Sequence, residues 1–131
     1  MSEWRDKFLA SGLIERCEGA TRWGSRPLLV GKYIMNAERD KDLPDSLRFT
    51  VDMKAVNAQC EKQTPRLGDM VTELDRVVGH EFYIQLDIAS AFWAFLVDEP
   101  SSDASTIWLP DGSSGAAPYR FRRLIMGYLN S

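Results

Sequence analysis

Asp87 stands between two apolar runs, FYIQL before it and SAFWAFLV from position 90 after it. An unpaired carboxylate is expensive to bury, so such an aspartate meets a cation, a hydrogen-bond donor, or water at a strand end. Two readings follow from the residues alone. Asp87 caps the segment SAFW, or it is a metal ligand. Other chemistries lack their residues. His80 is the single histidine, which leaves a Ser-His-Asp triad or a zinc site poorly supported. Cys17 and Cys60 lie far apart with no CxxC neighbour and read as reduced thiols in or near the core.

The elements that must position Asp87 can be read from periodicity. Residues 3–13 form an amphipathic helix with Trp4, Phe8, Leu9 and Leu13 on one face, and 17–27 a loop. Leu28 to Met35 is a strand and 36–47 an exposed charged loop. RFTVDM (48–53) alternates as a half-buried strand, so the two strands make a hairpin. TPRLGDMVTELDRVVG (64–79) is the clearest helix, with Thr64 and Pro65 suited to its start and Gly79 to its end. Phe82 to Leu86 is a strand ending at Asp87, and 90–97 is buried. The stretch 98–105 is a polar turn, TIWLPDG a strand running into a turn, and SSGAAP a flexible connection before the basic, aromatic stretch YRFRRLIMGYLNS. Helices interspersed with hairpins give an α+β fold, with no internal repeat.

The chain has 131 residues, 44% hydrophobic and 27% charged, enough for one compact domain. It contains no run of about 18 apolar residues and its N-terminus has no signal-peptide pattern, so an intracellular protein without a membrane span is expected. The net charge of −3 runs against the basic surface usual in nucleic-acid binders.

QLDIASAFW resembles the first catalytic block of reverse transcriptases, the RNA-directed DNA polymerases of gypsy-like LTR retrotransposons and retroviruses. Further blocks resemble the family in the family's order. FLASGLIERC and SRPLLVGK are similar to the opening of the fingers, and RFTVDMKAVN to the fingers strand "R-x-x-x-D-x-R-x-x-N", with Lys54 where the family usually has arginine. TPRLGDMVTELDRVVG is similar to the helix before the catalytic strand. STIWLPDG and YRFRRLIMGYLNS are similar to the hairpin and glycine block that follow. The resemblance implies the fingers (about 1–81 and 118–131) and part of the palm (about 82–117) of a right-hand polymerase.

It also implies roles. Asp87, with the backbone carbonyl of Ile88, would hold magnesium, two Mg2+ ions serving the intact enzyme. Phe92 would be the steric gate beneath the incoming sugar, with Trp93 a core residue. Lys32 and Arg48 would contact the triphosphate, and Met126 and Gly127 would line the nucleotide pocket. Asp52, Lys54 and Asn57 would contact the template or support the fold. Arg120, Arg122 and Arg123 form a basic cluster that suits either a nucleic-acid backbone or a plain surface. The implied partners are an RNA or DNA template with its primer, deoxynucleoside triphosphates and the rest of a parent polyprotein, in the cytoplasm or nucleus.

The family's second metal block, "Y-x-D-D", does not occur in this sequence, nor do thumb or ribonuclease H regions. One carboxylate does not hold a two-metal site, so these residues alone are expected not to polymerise nucleotides. The alternatives are a non-catalytic, retroelement-derived module that binds nucleic acid or protein, and a small structural domain with an accidental likeness.

Overall fold

The computed structural model describes residues 1–31, 47–64, 68–112 and 115–130. Helix α1 spans Ser2–Ala10, β1 Ile14–Arg16, β2 Arg26–Gly31 and β3 Leu47–Asp52. Helices α2 (Lys54–Asn57) and α3 (Met70–Val77) follow, then a 3₁₀ turn at Ala91–Ala94, α4 (Glu99–Ala104), β4 (Ile107–Pro110) and β5 (Ala116–Phe121). The fold is α+β, with antiparallel strands throughout its two sheets. No helix among the described residues is long and apolar enough to cross a membrane.

The three-stranded sheet has the order β1-β5-β4, with Ile14 opposite Phe121 and Ile107 opposite Tyr119. Period-two alternation sets its faces. Ala117, Tyr119 and Phe121 of β5 and Ile107 and Leu109 of β4 point into the core, while Trp108 and Pro110 point out. Phe8 of α1 fills the centre, its ring edge-on to Phe49 at 5.0 Å and to Trp93 at 5.4 Å. The second sheet is the hairpin β2-β3, in which Leu29 pairs with Phe49 and Arg26 with Asp52. An isolated bridge from Ser25 to Ile107 joins the start of β2 to β4.

Several elements differ from the sequence reading. Ile14–Arg16 is a strand, though its three residues are too few to show a period. The polar stretch at 98–105 is a helix, not a turn. The Asp98 carboxylate caps it by accepting from the Ser101 N–H at 3.0 Å, and Pro100 sits in the first turn, where its missing N–H costs nothing. Its serines are spent on buried bonds: Ser102 Oγ donates to the Phe121 carbonyl at 2.7 Å, and Ser105 Oγ accepts from the Phe121 N–H at 3.0 Å. SSGAAP is not wholly a connection either, because β5 begins at Ala116.

The clearest helix in the sequence is shorter than expected. It starts at Met70 under an Asp69 cap rather than at Thr64, with Thr72 Oγ1 also donating to Asp69 at 3.0 Å. The Thr72 hydroxyl and the backbone N–H groups of Val71 and Thr72 hold the Asp69 carboxyl below its ordinary range. Pro65 and residues 36–46 of the exposed loop foreseen at 36–47 lie outside the described residues, and Leu47 belongs to β3. Residues 82–86 form no strand. Every described residue from Gly68 to Ser90 is exposed, and no backbone bond among the described residues pairs 82–88 with another segment. A strand exists only against a partner's ladder, so apolar alternation without one leaves irregular chain. The expected burial of 90–97 also fails: Phe95 and Leu96 are largely exposed, and only Ala91 to Trp93 and Val97 are partly covered.

Candidate nucleotide and metal site

Asp87 is exposed, and no described residue bonds its carboxylate. The capping alternative is removed, because the 3₁₀ turn at Ala91–Ala94 is entered through Ser90 and has no side-chain cap. Ser90 itself holds the left-handed conformation (φ 54°, ψ 41°), the one non-glycine among the described residues with positive φ. That turn of the backbone separates Asp87 from Phe92. Ile88 beside Asp87 is 71% exposed, so its carbonyl belongs to the same open segment.

The structure separates Phe92 from Trp93. Trp93 packs edge-on against Phe8 and joins the core, whereas Phe92 is half-buried outside that cluster. Residues 94–97 after them are pinned to the end of the chain. The Leu124 N–H donates to the Phe95 carbonyl at 2.9 Å, the Val97 N–H to the Arg122 carbonyl at 3.2 Å, and Arg123 to the Ala94 carbonyl at 3.2 Å.

The residues that the resemblance assigns to the fingers, where described, fall on the hairpin and the turn after it. Arg48 is exposed on β3, opposite Val30, on the face shared with Arg26, Leu28, Thr50 and Asp52. No described residue pairs with its guanidinium. Asp52 Oδ1 accepts from the Lys54 N–H at 3.0 Å, just before α2 turns away, and the Lys54 residue is exposed. Lys32 lies outside the described residues.

Asn57 is the residue that joins two sequence-predicted segments. Its Nδ2 donates to the Gly127 carbonyl at 2.7 Å and its Oδ1 accepts from the Leu129 N–H at 2.9 Å. Gly127 has φ +105°, a conformation glycine adopts freely, and a Cβ there would meet Met53 and the Val51 carbonyl. The segment around Gly127 is thus seated on the end of β3 and on α2, with Met126 half-exposed beside it. A bond between residues 70 positions apart leaves no local signal in the sequence.

The arginine cluster is engaged within the protein. Arg120 pairs with Glu15, Glu99 and Asp103, and Arg122 pairs with Glu99 and Glu15. The Arg122 guanidinium lowers the Glu99 carboxyl below its ordinary range. A cavity of about 580 Å³ beside this network is lined by Arg16, Cys17, Trp23 and Arg120, and contains none of the residues assigned to nucleotide or metal. Burial raises the Cys17 thiol, which makes it less of a thiolate than an ordinary cysteine.

No protein-family model matches the chain, and no curated protein matches it. The donor set can be weighed directly. Among the described residues no three His, Cys, Asp or Glu side chains cluster to hold a metal ion. Asp87 and the Ile88 carbonyl supply one side-chain ligand and one backbone ligand, which does not fit two magnesium ions without further carboxylates. Among the described residues no hydrogen bond or ion pair joins Asp87 to Arg48 or to Gly127.

Proposed function

We propose that the chain is the fingers and part of the palm of an RNA-directed DNA polymerase of the gypsy-like retroelement type. The observation that carries this reading is the Asn57 clamp. It links RFTVDMKAVN to the MGYLNS block, two segments whose order and composition resemble the family's. Asp87 supports the reading, as an exposed carboxylate with no structural duty in the described residues. In this reading Arg48 and Lys32 meet the triphosphate and Phe92 borders the sugar. Gly127 and Met126 line the nucleotide pocket, and the exposed hairpin face with Lys54 lies along the template. Asp87 with Ile88 provides part of a magnesium site, and the 131 residues alone do not extend a primer.

Primer extension by the natural polypeptide that carries these residues tests the reading, with Asp87→Asn as the variant. The account expects the rate to fall by about a thousandfold or more, as on loss of a metal-holding or charge-stabilising group. An unchanged rate overturns it. The second reading is a non-catalytic module that binds nucleic acid. It is favoured by the single carboxylate, and predicts primer–template binding without extension in any natural length of the protein.

A further inference from the structure

Arg123 stands apart from its neighbours in the basic stretch. Arg120 and Arg122 are held by Glu15, Glu99 and Asp103, whereas no carboxylate among the described residues pairs with Arg123. Its Nη1 donates instead to the Ala94 carbonyl at 3.2 Å, 29 positions away. Ala94 is the last residue of the 3₁₀ turn that carries Phe92, and the Phe95 N–H closes that turn on the Phe92 carbonyl at 3.3 Å.

The same two segments form a short antiparallel ladder. Leu96 bridges to Arg123, flanked by the backbone bonds from Val97 to Arg122 and from Leu124 to Phe95. In an antiparallel pair the two strands run in opposite directions. The chain leading back from Phe95 to Phe92 and the chain leading on from Leu124 to Gly127 therefore leave the ladder at the same end. The Arg123 side chain bonds to the turn at that end. Trp93 is seated against Phe8, but Phe92 lies outside the core cluster, so its ring takes its place from the backbone of the turn.

We propose that Arg123 is a positioning residue for Phe92, and through it sets which sugar the nucleotide site accepts. In the polymerase reading, on which this role rests, Phe92 borders the sugar and Met126 and Gly127 line the pocket. A ring excludes a 2′-hydroxyl by filling its space, and selectivity of this kind falls when the ring is misplaced. Arg123 touches no substrate in this role. A phosphate contact by its guanidinium would act on both sugars alike, so the preference between them separates the two roles.

Incorporation of deoxy- and ribonucleotides by the natural polypeptide that carries these residues tests the proposal, read as the ratio of the two kcat/KM values. Arg123→Ala should lower the preference for deoxynucleotides by about fivefold or more, the worth of one hydrogen bond. Arg123→Lys keeps a donor for the single carbonyl and should restore most of it. Phe92→Ala should lower the preference at least as far. If Phe92→Ala relaxes the choice and Arg123→Ala does not, the positioning role is overturned and the polymerase reading stands. If neither variant changes the ratio, the sugar role of Phe92 falls as well.

Amide hydrogen exchange in this chain reads the same bond without activity. Arg123→Ala should speed exchange at Phe95 and Leu124 by about fivefold, and Arg123→Lys should stay near wild type. Unchanged exchange in Arg123→Ala overturns the proposal, whatever the natural polypeptide incorporates. Faster exchange in a protein that incorporates no nucleotide overturns the polymerase reading, and with it the role in sugar choice.

Discussion

The amide of Asn57 holds the backbone of the chain's last turn from both of its ends, donating to Gly127 at 2.7 Å and accepting from Leu129 at 2.9 Å. A neutral hydrogen bond contributes about 1 kcal/mol net. Asn57→Ala should therefore lower unfolding stability by about 1–2 kcal/mol in urea titrations. Asn57→Asp keeps the acceptor but sets a carboxylate against the Gly127 carbonyl, so it should be no more stable than the alanine variant.

Gly127 carries a conformational demand that its surroundings do not impose by space. A Cβ there would meet Met53 at 3.6 Å, an ordinary contact, but at φ +105° an L-residue is strained. Gly127→Ala should cost about 1–3 kcal/mol. Gly31→Ala is the control, with nothing within 4 Å and no positive φ, and should stay within about 0.5 kcal/mol of wild type.

Acid should loosen α4. The Asp98 carboxyl is held down by its bonds to Ser101, and that of Glu99 by Arg122. Groups depressed on folding stabilise above their ordinary values, 3.8 and 4.5 here, and that contribution is lost as pH falls through the depressed ones. Thermal stability should accordingly drop on the acid side of pH 4.5. Asp98→Asn, which caps without titrating, should flatten that limb in melts recorded across the acid range.

Asp87 makes no bond in the described residues, so Asp87→Asn should leave stability within about 0.5 kcal/mol of wild type in the same titrations. A larger loss would give the residue a structural task and remove the reason for assigning it a chemical one.

What the residues disclosed before folding follows from range. The β2-β3 hairpin was legible because Phe49, Val51 and Met53 alternate with polar neighbours, and α1 because Trp4 and Phe8 share a helical face. Helix α4 was hidden by serines, which are poor helix formers; their hydroxyls are repaid by bonds to Phe121, distant in sequence. The strand expected at Phe82–Leu86 had the right pattern, but a pattern supplies one half of a ladder. At the site, Asp87 and Phe92 were visible as local oddities. The Asn57 clamp and the Arg120 network join residues 70 and 105 positions apart, and no window along the chain contains them.

The central claim is that the exposed hairpin face meets nucleic acid, although the chain's net charge is −3. Fluorescence anisotropy of a labelled primer–template, titrated with this chain at several salt concentrations, measures it directly. Binding should weaken linearly in log salt, with Lys54→Ala lowering the slope by about 1 and leaving the fold intact. Absence of binding at low salt, or a salt slope that Lys54→Ala does not change, would contradict it.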